Sequence, residues 1–260
     1  MYVLRLICHR YGQAAICAVI LGVVTAPSAA DISLMGMPGV AYTPVASDLV
    51  DGEFVLGGSV VNWGGFVARD FSQFDSKGSG DAHFTGYLTF SYLPRLVITV
   101  RGNGMPGTEG PGGTGPFYTD GMMSVQLLLA RQGRFVPALA VGMHDLYGFM
   151  LFNQAYAVAT HRLQLPSLSA DLQLSGGWGV DWYDRHIGTD DTEFGVPHYL
   201  LGPFASVVAD RHEGADFSVE YDTHGINFGI RVRPLPWMGI NLTTIGIRGA
   251  ALGLNLRTMI

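Results

Sequence analysis

Between Ile226 and Gly246 apolar and polar residues alternate with a period of two. Ile226, Phe228, Ile230 and Val232 share one face, and Asn227, Gly229, Arg231 and Arg233 share the other. After Pro234-Leu235-Pro236 a second run sets Met238, Ile240 and Leu242 against Gly239, Asn241 and Thr243. This pattern predicts two β-strands joined by a tight turn. The same alternation recurs upstream. Leu96, Ile98 and Val100 oppose Val97, Thr99 and Arg101; Met123, Val125, Leu127 and Leu129 oppose Ser124 and Gln126. Leu172, Leu174 and Trp178 oppose Asp171, Gln173 and Ser175; Phe217, Val219 and Tyr221 oppose Asp216, Ser218, Glu220 and Asp222. In total about twelve strand-like segments are predicted, near 53–62, 83–92, 95–102, 119–130, 135–143, 150–160, 169–178, 203–210, 215–222, 226–233, 237–245 and 249–258. No convincing long amphipathic helix accompanies them.

Alternation alone does not say which face is wet. In a soluble sandwich the apolar face is the core, whereas in an outer-membrane barrel it meets lipid and the polar face lines the lumen. The connections favour the barrel. Long ones (63–82, 103–118, 179–202) follow odd-numbered strands, and short ones such as Leu93-Pro94 and Pro234–Pro236 follow even-numbered strands. Outer-membrane barrels sort long external loops from short periplasmic turns in this way. The Gly-rich stretch Gly102–Pro116 reads as one flexible external loop. Tyr92, Trp178, Tyr221 and Trp237 fall near strand ends, suiting either an interfacial girdle or an ordinary core.

Composition points the same way. Charged residues are 14% of the chain, against about 25% in ordinary soluble domains. Mean hydropathy is positive, yet beyond the start of the chain no apolar run is long enough for a spanning helix. Such apolarity is normal where the membrane signal is spread over alternate strand residues. The expected fold is therefore an all-β, antiparallel, up-and-down transmembrane β-barrel of about 12 strands.

The first thirty residues hold Arg5, Arg10, an apolar run from Ala14 to Ala26, and then Pro27-Ser28-Ala29-Ala30. This reads as a signal peptide, residues 1–30, cleaved after Ala30. Residues 31–52 contain Pro38, Pro44, Asp48 and Asp51 without sustained alternation, so they are expected at the lumen or periplasmic mouth of the barrel formed by 53–260. Both cysteines, Cys8 and Cys17, precede residue 31, which leaves the exported part without disulfides. Two of the 15 basic residues also precede it, whereas all 21 acidic ones follow, for a formal charge of −8. That balance argues against a nucleic-acid partner.

Candidate chemistry is sparse. His83, His144, His161, His186, His198, His212 and His224 form no His-x-x-x-His pair. His144-Asp145, at a strand end, reads as a solvated turn. The carboxylates of Asp181–Tyr199 could attract calcium, but they lack the calcium-loop spacing and read as a solvated loop facing lipopolysaccharide. Ser206 and Ser218 carry no Gly-x-Ser-x-Gly context. No catalytic residue, cofactor or metal ligand is assigned.

The one constellation singled out is a polar lumen cluster of Asp216, Glu220, Arg231 and Arg233. A hairpin turning at His224-Gly225 puts Glu220 opposite Gly229 and Ser218 opposite Arg231. A slip of one residue on each side puts Glu220 opposite Asn227 and Asp216 opposite Arg231. Both registers preserve parity, so Arg231 and Arg233 point inward in either. There they pair with Asp216 or Glu220 and offer donors to sugar hydroxyls or acidic glycans. Paired carboxylates could also cleave glycosidic bonds, but a polar lining is the preferred reading.

Several blocks, in order, resemble the YjbH family of outer-membrane proteins linked to exopolysaccharide production. They are MPGVAYTPVASDLVDGEF from Met37, FVPALAVGMHDLYGFMLFNQAYAVATHRL from Phe135, GPFASVV from Gly202, FSVEYD from Phe217, and INFGIRVRPLPWMGINLTTIGIRGAALGLNLR from Ile226. The resemblance implies a β-barrel with a polysaccharide-related task and offers no catalytic motif. It implies as partners outer-membrane lipid and lipopolysaccharide, polysaccharide, and other exopolysaccharide secretion proteins. The expectation is a non-enzymatic barrel of the bacterial outer membrane that assists exopolysaccharide production, export or surface attachment. An outer-membrane enzyme acting on lipid or glycan, and a small-solute porin, are the alternatives.

Overall fold

The computed structural model describes residues 31–47, 49–62, 82–106, 117–147, 153–166, 170–182, 200–211, 214–246 and 249–259. Twelve strands follow one another: β1 (Glu53–Asn62), β2 (Ala82–Leu93), β3 (Leu96–Pro106), β4 (Phe117–Ala130), β5 (Ala138–His144), β6 (Gln154–Leu165), β7 (Ala170–Asp181), β8 (Gly202–Arg211), β9 (Ala215–Tyr221), β10 (Ile226–Leu235), β11 (Met238–Ile245) and β12 (Gly249–Met259). Each pairs with its sequence neighbours, and β1 closes on β12 from Glu53↔Met259 to Val61↔Ala251. The result is a closed antiparallel meander with no free edge, so the ladder can satisfy the backbone without help from solvent. The first residues of β1 and the last of β12 lie at one end, called the near end, with the short β2–β3 and β10–β11 turns. The strand ends that the long connections join lie at the far end.

Alternation carries through to burial. Thr85, Tyr87, Thr89 and Ser91 on β2 are buried inside, while Leu127, Trp178, Phe217, Val219, Phe228 and Leu252 are exposed on the outer wall. Tyr92 is 82% exposed and Trp178 58%, both near strand ends. The barrel is thus inverted relative to a soluble domain, with large apolar side chains outside and hydroxyls, amides and charges within.

The Gly-rich stretch departs from expectation. Gly102–Pro106 continues β3, pairing through Gly102↔Gly121, Asn103↔Asp120 and Gly104↔Thr119. Backbone ladder bonds need no side chains, so a neighbouring strand can hold glycines that look loop-like in isolation. Residues 107–116 lie outside the described part, as do the acidic loop 183–199 and the expected signal peptide. At the other extreme, β5 and β6 start later than their apolar runs suggest, at Ala138 and Gln154.

Residues 31–50 occupy the lumen as a plug. They carry two isolated bridges, Ile32↔Pro38 and Gly39↔Pro44, and otherwise no regular structure. Every buried apolar cluster contains part of this segment. Leu34, Met35, Ala41, Tyr42 and Ala46 pack with Met122, Tyr156 and Phe204; Ile32 and Leu49 with Val55, Tyr87 and Val97; Val40 and Val45 with Val208. The apolar core is therefore made between plug and wall.

Two inward tyrosines lie over glycines of the paired strand. A Cβ on Gly57 would meet Tyr87 Cζ at 2.4 Å, and one on Gly142 would meet Tyr156 Cζ at 2.3 Å. The partners face each other in register, Gly57↔Tyr87 and Gly142↔Tyr156. Each glycine makes room for a ring that shields its strand. Gly142→Ala is expected to destabilise the barrel by about 1–3 kcal/mol through overpacking, read as a lower urea midpoint with the slope unchanged.

Candidate functional site: the occupied lumen

The hairpin of β9 and β10 takes the second register, with Asn227 opposite Glu220 and Arg231 opposite Asp216. The turn spans Asp222–Gly225 rather than His224-Gly225 alone, and Asp222 explains it. Its Oδ1 accepts from the amides of His224 and Gly225 at 3.1 and 2.9 Å, and its Oδ2 accepts from Asn227 Nδ2 at 2.8 Å. An aspartate binding the backbone two and three residues on closes a wider turn. The left-handed φ of 76° falls on Thr223, not on Gly225.

Of the four residues expected to cluster, three meet at the near end. Arg231 Nη1 lies 2.7 Å from Asp31 Oδ2 and 3.8 Å from Asp216 Oδ2. Arg233 reaches Asp216, Asp31 at 3.3 Å and Asp210 at 3.9 Å. Asp31 was not singled out by the sequence, yet it is the plug's contribution to this cluster. Burial pushes its carboxyl upward, but the charges of Arg231, Arg233 and Arg257 outweigh that and hold it well below the usual carboxylate range. Arg231 donates further to Asn241 Oδ1 at 2.6 Å and to the Gly39 and Val40 carbonyls at 3.2 and 3.3 Å. Donors expected to await a glycan are thus engaged by the plug and the wall.

Glu220 stands apart from those arginines, nearer the far end. Its carboxylate accepts the backbone amides of Ala41, Tyr42 and Thr43 at 3.0–3.2 Å, the Thr43 hydroxyl at 2.8 Å and Asn227 Nδ2 at 2.9 Å. The turn from Gly39 to Pro44 aims consecutive N–H groups at one anion, a backbone concavity suited to negative charge. Burial and the nearby Asp222 and Glu220 carboxylates keep the Tyr42 phenol protonated far into alkali.

Between these two anchors the wall holds the plug mainly by its backbone. Thr89 and Thr99 hydroxyls donate to the Gly36 carbonyl. Gln126 Nε2 donates to the carbonyls of Val45 and Ser47 at 3.0 and 2.9 Å. Thr160 Oγ1 accepts from Ala46 N at 2.8 Å. Ser59 donates to Leu34 O at 3.2 Å and Asn241 to Ile32 O at 3.3 Å. Gly36 turns the chain with φ of 81° beside Tyr87, a conformation costly for residues with a Cβ.

His144 and Asp145 correct an expectation. They are 1% and 0% exposed, not a solvated turn. His144 faces Ser124 at 3.3 Å and its ring lies 5.2 Å from that of Tyr156. Inward parity at the end of β5 and the bulk of Tyr156 draw it in. Among the described residues no group of three His, Cys, Asp or Glu side chains is arranged to hold a metal ion.

Residues 33–190, more than half of the chain, match the model of a family described as exopolysaccharide biosynthesis protein YbjH, the YjbH family. The chain belongs to the YjbH family. The match covers the plug from Ser33 and the wall through β7, whereas the similar blocks from Gly202 onward lie beyond it. No curated protein matches this YjbH-family chain. Among solved structures, an outer-membrane channel from Pseudomonas putida F1 is 10% identical over 82% of this chain and 97% of its own, with a TM-score of 0.43. The outer-membrane phospholipase of Salmonella typhi, a dimer with bound calcium, is 9% identical over 81% and 90%, at 0.38. LpxR from Salmonella typhimurium is 10% identical over 79% and 100%, at 0.35.

Two outcomes test the anchors of this YjbH-family plug. Glu220→Ala strands three plug amides, at about 1–3 kcal/mol for each buried group left unsatisfied, and is expected to expose residues 40–45 to protease while the barrel stays folded. Asp31 has a depressed pKa, so its contribution is complete above the ordinary carboxylate value and is lost as pH falls through the lowered one. Protease protection of the near-end plug is therefore expected to hold from neutral pH into mild acid and to fail only in strong acid, while Asp31→Asn lowers it at every pH above that.

Proposed function

We propose that this protein is a non-enzymatic barrel of the bacterial outer membrane that assists production, export or surface attachment of an exopolysaccharide. Membership of the YjbH family carries the polysaccharide link. The membrane assignment rests on the inverted wall: Leu56, Leu127, Phe217, Phe228 and Leu252 are all exposed, a surface far more apolar than soluble monomers tolerate. Strands of 7 to 14 residues bracket the length of about 9–11 that a tilted strand needs to cross a bilayer. Both termini of the barrel then face the periplasm, and the long connections face outward.

The filled lumen favours this reading over a porin. Wide aqueous channels belong to barrels of about 16 strands or more, and here the bore is occupied from Asp31 at one end to Thr43 towards the other. The engagement of Glu220 and Arg231 in holding the plug, and of Asp216 in holding the arginines, supports a structural role for them over a catalytic one. An enzyme of the outer membrane remains the competing class, tested by turnover of lipid or glycan by the purified protein.

Deletion of the gene is expected to lower extracellular polysaccharide, with restoration by the full chain; unchanged polysaccharide would count against the proposal. In planar bilayers the full chain is expected to show little steady current. Deletion of residues 31–50 is expected to leave an inserted, heat-modifiable barrel with a larger current.

A further inference from the structure

The plug is gripped through groups that any extended polar chain could supply. Six wall side chains, Ser59, Thr89, Thr99, Gln126, Arg231 and Asn241, donate to plug backbone carbonyls. Thr160 and Glu220 accept plug amides. Outside the two anchors, what the wall reads is a string of oxygens and N–H groups spaced along a chain, with little demand on side-chain identity. Hydroxyl and ring oxygens of a glycan strand present the same kind of acceptors, and glycan hydroxyls also donate.

The wall also has hydrogen-bonding capacity that the plug leaves unused. Gln154 on β6 is 1% exposed, Asn255 on β12 is 0% and Ser206 on β8 is 3%. Neither amide atom of Gln154 or Asn255, nor the Ser206 hydroxyl, makes a hydrogen bond to a protein group. Burying such groups without partners costs about 1–3 kcal/mol each, a cost that a polar ligand in the lumen would offset. These three residues, spread over separate strands and both ends, lie in the same inward-facing polar lining as the plug-binding groups.

Width allows the exchange. The plug doubles back on itself, as the bridges Ile32↔Pro38 and Gly39↔Pro44 record. Paired chains lie about 5 Å apart, so the plug fills at least two chain widths, and a single glycan strand needs less.

We propose that the lumen is a glycan-binding groove whose ligand is a largely uncharged polysaccharide strand, and that the N-terminal plug and this strand occupy it alternately on the same wall side chains. The proposal rests on the exopolysaccharide reading and deepens it by placing the polymer inside the barrel. The hydroxyl and amide lining carries the role.

A reversible lock tests it in the full chain. Ala46 and Thr160 touch through the 2.8 Å hydrogen bond of Ala46 N to Thr160 Oγ1, so the double variant A46C/T160C can tie the plug to β6 by a disulfide. The probes are maltohexaose, which is neutral, and an alginate hexamer, which is acidic, titrated by calorimetry into detergent-solubilised protein. With the lock reduced, maltohexaose is expected to bind. With it oxidised, affinity is expected to fall by a factor of about ten or more, because the competent state is no longer populated. Adding E220A to the reduced protein loosens the plug tip and is expected to tighten binding by a similar factor of about ten. Q154A/N255A is expected to weaken it without changing plug protection from protease.

Equal binding in the oxidised and reduced proteins places any glycan site outside the lumen and overturns the proposal. Absence of maltohexaose binding even with E220A overturns it as well, and binding of the alginate hexamer alone overturns the uncharged ligand. In cells, an oxidised A46C/T160C protein that restores extracellular polysaccharide as well as the wild type does would sink the alternation and leave the proposed function standing. Failure of the wild type itself to affect polysaccharide would remove both.

Discussion

A chain without helix or sheet of its own, buried inside a barrel, must find a partner for each of its backbone N–H and C=O groups. The plug meets that demand partly within itself, as in Leu34 N to Ala41 O and Val45 N to Pro38 O, and partly from the wall. Ladder closure has already engaged the wall's backbone, so what the wall contributes comes from inward side chains, the hydroxyls, amides and charges that the alternation puts there. The same pairing completes the wall, whose buried Thr89 and Thr99 bond each other and whose Gln126 and Asn241 accept from Tyr156 and Arg231, and all four also donate to the plug. Each side is the other's solvent. A cavity beside Val40, Ser218 and Arg231 is about the size of a single water.

Apolar packing follows the same division. Side chains of the plug that do not face a polar wall residue pack against the few large inward apolar ones, Tyr87, Met122, Tyr156, Phe204 and Val208. Glycines on neighbouring strands, Gly57, Gly142 and Gly177, give three of these rings, Tyr87, Tyr156 and Phe204, their places.

The fold was legible because strand alternation is a local signal that survives without any knowledge of partners. Strand order, the long and short connections and the inward parity of Arg231 and Arg233 all follow from period two and closure. The lumen contents were less so. That 31–50 is not a strand can be read from Pro38 and Pro44, but which wall residues it meets depends on contacts more than a hundred positions apart, such as Ala46 with Thr160. Glu220 was picked as an arginine partner because both lie on one face; its true partners are backbone amides, which leave no trace in residue types. Asp31 was missed for the converse reason, since nothing local marks an aspartate as the counter-charge of two arginines some 200 residues on. A charge count would have pointed to it, because Arg231 and Arg233 face Asp216 and need a further carboxylate. The turn at Asp222 shows the limit of motif reading: Gly225 suits a tight turn, but the aspartate's two backbone bonds outweigh the glycine's preference.

Orientation of the plug is fixed by the opposite polarity of its two anchors. At the near end the wall supplies cations and the plug a carboxylate, Asp31 to Arg231 and Arg233. Towards the far end the wall supplies an anion and the plug its amides, Ala41 to Thr43 on Glu220. A segment entering in the reverse sense would bring Asp31 towards Glu220, where two carboxylates in a poorly hydrated interior repel strongly, and would leave Arg231 facing N–H groups that it cannot accept from. The hairpin register matters for the same reason. In the alternative register Ser218 stands opposite Arg231 and Asp216 moves opposite Arg233, so Arg231 would lose its directly facing carboxylate. One turn of four residues, set by Asp222, therefore places Asp216 opposite Arg231, where its carboxylate meets both arginines from the wall while Asp31 meets them from the plug.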